Sequence, residues 1–430
     1  MNKINGYKIL NKDLKCEDFQ FEIGKRYKEE KNINDFYFYE SPLDILGFNY
    51  DSLLDSNANF SRFVKVEGSG NIKKRKNIYT YASNIKIVKE LNLKDIINEG
   101  VKFIKNQTKD YKIDNILSYY NNKDSEKICS NKNYSKIDSS GNDVQIYSNG
   151  KYTKINSNGL CAQIGSTGNF TEINSNKSYA KINSKGDSVV INSRGFGVTI
   201  GSIGKYTQIN SNKNCAEIVS TGDFAKINTN GNTARIASTG DSVEIVCNGK
   251  KTTIGSTGNS TKIVSSGEHT TIKSIGDNTI ISSTGDFTKI NSNGEYAKIS
   301  SNNTSIEINS NGDFAKINSN GLTALIKSSG NYAKINSTEN TAQIISSGNN
   351  SVIMCTGINS KVKAKIGSWI TLTEWKYDKE KDAFIPICVK TEQVDGKKIK
   401  EDTYYELIHG KFVEVDQETY KIISTEYECY

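Results

Sequence analysis

One position recurs every nine residues from Ile128 to Val362, and isoleucine fills 26 of its 27 occurrences without insertion or deletion. Around it the unit reads small-x-Ile-x-Ser-x-Gly with a polar tail. Ala, Thr or Val usually stands two residues before the Ile. Ser stands two after, as in Ser157, Ser166, Ser175 and Ser184, with Thr229, Cys247, Cys355 and Ala364 as small exceptions. Gly stands four after from Gly141 to Gly357, broken by Lys132, Lys177, Lys213, Asn303 and Glu339. Period-two alternation puts the small residue, the Ile and the Ser on one face of a short strand. The Gly is expected to turn the corner at positive φ. One nine-residue unit cannot bury its own apolar face, whereas stacked units can.

A second period shows how many units close a coil. An aromatic three residues before the Ile recurs at 18-residue spacing: Tyr134, Tyr152, Phe170, Tyr206, Phe224, Tyr296, Phe314 and Tyr332. Tyr179 and Phe287 fall on the other register. For a stretch the Asn after the Ile follows the first register, at Asn156, Asn174, Asn192, Asn210 and Asn228. Two unlike strands therefore alternate. The pattern predicts a mainly β protein built on a two-sided parallel β-solenoid of 18 residues per coil, with an Ile ladder on each inner side. About 13 coils at ~4.8 Å would give roughly 60 Å. Calcium-binding nonapeptides are excluded because they need paired glycines and a regular Asp. A hexapeptide period is absent.

Hydrophobic content of 35% is low for a globular chain. A ladder explains it, since one large apolar residue per unit suffices. Each buried Ile contributes ~1.5–3 kcal/mol. No apolar run is long enough for a transmembrane helix, and the N-terminus has no signal-peptide core. The eight cysteines, Cys16, Cys129, Cys161, Cys215, Cys247, Cys355, Cys388 and Cys429, form no CxxC pair. They read as reduced thiols of a cytoplasmic protein. Net charge is +4 over 1–127, +9 over 128–366 and −5 over 367–430.

The ends differ in kind. Residues 1–106 read as a small α+β domain, with strands at Tyr7–Leu10, Phe19–Ile23, Phe36–Tyr39, Phe63–Glu67 and Ile85–Val88. One helix is expected to open at Ser41-Pro42 and a second to span Leu93–Ile104. Residues 107–127 read as a linker or a cap on the first coil. Residues 128–366 are the solenoid, and 367–430 a β-rich cap that covers its open edge. In the cap, Val394–Lys397 and His409-Gly410 are expected hairpin turns.

The segments Asn11–Cys16, Phe19–Lys25, Glu40–Asp44 and Ser61–Val66 resemble an uncharacterised domain of bacteriophage and prophage proteins. Its members carry Ser/Thr/Gly-rich repeats likened to ice-nucleation protein. Gly367–Trp375 and Glu406–Val413 resemble the tails of such proteins. The resemblance implies a phage setting and no known activity. The family has Gly-Phe-His before Pro-Leu-Asp, where this chain has Asp35-Phe36-Tyr37.

Catalytic chemistry finds little to work with. The only histidines, His269 and His409, stand at a variable pre-strand position and in a turn. No phosphate loop, zinc spacing or nucleophile elbow occurs, and no cofactor or metal is expected. The Phe36–Asp44 stretch resembles the core of ADP-ribosyltransferase folds without the accompanying Arg, Ser and Glu motifs. One residue before the Ile, Lys136, Lys154, Lys226, Lys262, Lys298, Lys316 and Lys334 recur on the aromatic register. Tyr296, Lys298, Phe314, Lys316, Tyr332 and Lys334 therefore form the candidate binding stripe, suited to phosphates and bases. The same lysines would equally keep a β-surface soluble. Outward Thr199, Thr253 and Thr271 are too isolated for an ice-binding face. The expected function is a non-catalytic scaffold holding the N-terminal domain away from the C-terminal cap, with a protein partner and no membrane. Nucleic-acid binding by the stripe is the alternative.

Overall fold

A computed structural model describes residues 3–16, 18–28, 36–45, 54, 58–75, 79–114 and 117–416. The chain forms two compact units, Met1–Lys262 with Thr271–Lys273, and Ile263–Thr270 with Ser274–Tyr430.

Both units are built on the coil the nonapeptides predict. Four-residue strands pair in parallel with the strand 18 residues on, so Ile137 lies on Ile155 and Ile155 on Ile173. The other register does the same, with Ile146 on Ile164 and Ile164 on Ile182. The ladder isoleucines are all but fully buried. The inward Ser also meets the small residue opening the next strand. Ser148 Oγ donates to Thr153 Oγ1 (3.3 Å), and Thr153 Oγ1 donates to the Gly150 carbonyl (2.9 Å). Where that next residue is Ala, as after Ser157, Ser175, Ser211 and Ser220, the buried hydroxyl has no partner.

The corner works differently from the expectation. None of the recurrent corner glycines has positive φ. The left-handed residue is the one three before the Ile, at all 27 positions, with φ between 52° and 63°. It is the aromatic position of the first register, and Gly occupies it only at Gly197. The corner Gly is required by stacking instead. A Cβ on Gly240 would sit 2.2 Å from the Gly222 carbonyl oxygen, and one on Gly159 1.7 Å from that of Gly141. Asn and Asp before the left-handed residue complete the corner by accepting from the backbone one coil on. Asn133 takes the Lys151 N–H (2.8 Å) and Asp187 the Lys205 N–H (2.8 Å).

In the first unit, Lys3–Leu10 pairs antiparallel with Arg62–Arg75, which pairs with Tyr79–Leu91. Arg26–Lys28 and Tyr37–Phe38 complete this five-stranded sheet. The expected Phe19–Ile23 strand is only Phe19–Gln20, paired with Lys15–Cys16. Ser41 caps as anticipated, its Oγ accepting from the Leu43 N–H (3.2 Å), but residues 42–45 make a turn. Residues 46–53, which follow, lie outside the described residues, as do Asp35 and Cys429. Helix α1 spans Leu93–Thr108, four residues beyond its predicted end. Its start is fixed by a capping box. Asn92 Oδ1 accepts from the Asp95 N–H (2.8 Å), and Asp95 accepts from the Asn92 N–H (3.3 Å).

The N-terminal domain lies along the coils of the first unit. Ile97, Val101 and Ile104 of α1 press onto the second-register sheet. There the outward residue after the Ile is small or apolar at Cys129, Tyr147, Gly165, Gly201, Val219, Ala237 and Gly255, with Asn183, buried beneath Gly100 of the helix, the one polar exception. A Cβ on Gly201 would meet Ile97 at 2.8 Å, and one on Gly255 would meet Leu54 and Phe60 at 3.1 Å. Lys181 with Asp44 and Lys273 with Asn59 tie the contact at its rim. Within the stretch read as linker, Ser118–Asn121 is already a ladder strand, with Tyr119 in the Ile place opposite Ile137.

In the second unit the ladder runs one strand past Val362. Trp369–Asp378 pairs in parallel with Val352–Cys355, placing Ile370 on Ile353 and Leu372 on Cys355. Antiparallel strands then close the coil. Ala383–Gln393 pairs with Trp369–Asp378, and Tyr404–Ile408 covers Lys361–Ala364. The turn at Val394–Lys397 is not a hairpin. Asp395 gathers the N–H groups of Lys397, Lys398 and Ile399, and the chain crosses to the other sheet. His409-Gly410 is the expected hairpin turn joining Tyr404–Ile408 to Lys411–Val415. Both its residues have positive φ, and both its N–H groups donate to Glu374 (2.9 and 2.8 Å).

Candidate functional site

The stripe residues lie together on the second unit. Lys298, Lys316 and Lys334 open three strands paired in direct register, so their side chains leave the same face on consecutive coils. All three are exposed, and none forms an ion pair among the described residues. Three of the four equivalent lysines of the first unit are ion-paired, Lys226 being the exception among the described residues. Lys136 pairs with Asp138 (2.8 Å), Lys154 with Glu172 (3.0 Å) and Lys262 with Glu244 (3.0 Å).

The rings beside them have another use. Tyr296 and Phe314 stack at 5.0 Å and 5°, and Phe314 and Tyr332 at 5.1 Å and 8°. Phe314 has a ring on each face. These residues hold left-handed backbone, which bulky side chains disfavour, and stacking on the coil below offsets part of that penalty. The stripe therefore offers ring edges and charge. Base stacking, which would have favoured single strands, has no open face at Phe314 and one at most at Tyr332.

A second site emerged only from the fold. On the first unit the residue after the first-register Ile is outward Asn from Asn156 to Asn228, and the amides form a ladder. Asn174 donates to Asn156 (2.8 Å), Asn192 to Asn174 (2.9 Å) and Asn210 to Asn192 (2.8 Å). A parallel row runs two residues on, where Asn176 donates to Asn158 (2.7 Å) and Asn230 to Asn212 (3.1 Å). Arg194 interrupts this second row. Between the rows lies a groove of about 460 Å³ with Ser193 at its floor. Sequence reading used the Asn row to set the register; the break at Arg194 was the signal for a site.

Other candidates resolve into structure. His269 stacks on Phe287 at 4.8 Å, as the other rings of that position do. Thr199, read as outward, is buried. The seven described cysteines are free thiols, and burial pushes the Cys355 thiol up to about 12. Phe36, Phe38 and Tyr39 are buried in the N-terminal cores. Lys8 is enclosed in the same domain, donating to the Tyr37 carbonyl (3.1 Å) with its ammonium 3.5 Å from the Tyr37 ring centroid. Glu217 is buried on the second-register sheet, 2.9 Å from Arg235 Nη1. Its Oε2 has no partner, and burial raises its carboxyl to about 7 despite the guanidinium. No cluster suited to a metal occurs among the described residues. No described helix is long and apolar enough to cross a membrane.

Residues 4–99 match a family described as a domain of unknown function, DUF7666. The match spans the antiparallel sheet and the first half of α1. No curated protein and no solved structure matches the chain.

Proposed function

We propose that this chain is a non-catalytic binding scaffold of phage or prophage origin that engages a host or defence protein through its C-terminal cap. The observation that carries this reading is the Ala383–Gln393 strand. It is the edge of its sheet, 11 residues long, with Phe384, Ile387 and Val389 each at least 43% exposed. Long edge strands with apolar side chains invite pairing with another chain. Pro386 blunts only one position. The phage setting rests on the resemblance of the two ends, and the rigid ladder supplies the support behind the cap. The test is affinity capture from host lysate with the full chain and with the Phe384→Lys, Ile387→Lys, Val389→Lys variant. Capture of a defined protein that the variant loses, at unchanged melting temperature, is expected. Equal capture by both would overturn the assignment to this edge.

A second reading has its own support. Three lysines without an ion pair on consecutive coils, where Lys136, Lys154 and Lys262 of the first unit are paired, make a polyanion-attracting face.

A further inference from the structure

The geometry points to the Asn-walled groove around Arg194 as a binding site for a carboxylated oligosaccharide, and we propose it as such. A carboxamide has two N–H donors and two acceptor lone pairs. Asn192 and Asn210 each use one N–H along the ladder and keep the other. In the second row the break at Arg194 leaves more. Asn176 donates to Asn158 but receives nothing from the coil above, so its Oδ1 is unclaimed. Asn212 accepts from Asn230 but has no acceptor below, so its amide N–H groups are unclaimed. Arg194 is exposed between them and forms no ion pair among the described residues. Glu172, the carboxylate two residues before Asn174, is taken up by Lys154 and Asn174.

The ligand follows from this inventory. A guanidinium with an amide donor beside it matches the planar, two-oxygen geometry of a carboxylate. The Asn176 oxygen asks for a hydroxyl donor nearby. The spare donors of Asn192 and Asn210 repeat at the coil spacing, which suits a polymer bearing hydroxyls at a similar pitch. A peptide fits poorly. The groove has no apolar pocket for a side chain, and the backbone of Glu172–Ser175, Val190–Ser193 and Gln208–Ser211 is already paired in the ladder, so no strand can add there. A nucleic acid would find no ring face to stack on. The volume, about 460 Å³, is that of a small-ligand cleft.

The test uses the full chain and hexagalacturonate as probe, with its methyl-esterified form, which lacks the charge, and a hexaglutamate peptide as comparisons. Calorimetry should show binding of hexagalacturonate alone. Arg194→Gln should weaken it about tenfold or more, the usual worth of one charged hydrogen-bond pair. Asn212→Asp, which sets a carboxylate beside the ligand's, should weaken it too. Measured in the Lys298→Glu, Lys316→Glu, Lys334→Glu background, which removes the stripe's own attraction for polyanions, the same dependence on Arg194 should remain. Matching melting curves guard against misfolding, since these side chains are exposed. Absence of hexagalacturonate binding, equal binding of the peptide, or undiminished binding by Arg194→Gln would each overturn the assignment.

Discussion

At the scale of the residue, the repeat distributes its constraints differently from a simple turn-forming motif. Glycine stands at the corner because a carbonyl of the preceding coil occupies the space its Cβ would need. The residue that carries positive φ is a different one, and it is rarely glycine. The exchange is physical. An L-residue can be held left-handed at modest expense when its ring or amide stacks on a like neighbour, whereas a backbone clash has no rotamer to relieve it. Gly240→Ala places a methyl against the Gly222 carbonyl, so the corner must move. The expected loss is about 1–3 kcal/mol, read as a lower denaturation midpoint. Asn at position 197, where glycine is left-handed, should be tolerated. A neutral Gly240→Ala would show that the coils part without penalty.

At the scale of the element, helix α1 and the second-register sheet are complementary because the sheet's outward row is small or apolar where the helix lands, save for Asn183, which faces Gly100, the helix residue without a side chain. That sheet also holds Glu217, and with it a pH dependence. Its folded pKa, about 7, is raised above its ordinary value of 4.5, with burial as the largest cause. Its contribution to stability is therefore complete below about pH 4.5, is lost as pH rises towards 7, and stays lost above. Glu217→Gln removes the titration. Its stability relative to wild type should climb across that window by up to about 3 kcal/mol, measured by denaturant unfolding at pH 4, 5.5 and 8. A difference that falls with rising pH would mean the Arg235 pairing outweighs burial.

At the scale of the whole molecule, the chain's positive charge of +8 is concentrated on the repeats. The structure refines what that charge can do. Because the stripe's rings spend their faces on one another, attraction to single-stranded nucleic acid is expected only at low salt, falling steeply as salt rises. Replacing Lys298, Lys316 and Lys334 with Glu should abolish it in a filter or anisotropy assay. Submicromolar binding near physiological salt, lost in that variant, would restore the stripe as a dedicated site. The nine-residue period by itself determined the parallel ladder, the 18-residue coil, the buried Ile, small and Ser rows, and the alternation of two faces. Each follows from strand alternation and from the need of like units to stack, and both are local. The helix at Leu93 and the hairpin at His409-Gly410 were legible for the same reason. Only the tertiary structure decided that the N-terminal domain lies along the coils, that the ladder captures Tyr119 and Ile370, and that Arg194 opens a groove between two amide rows. Those outcomes depend on which outward residues meet after the coils are stacked. Residues 18 apart become neighbours there, and a single departure from the repeat acquires a place and a shape.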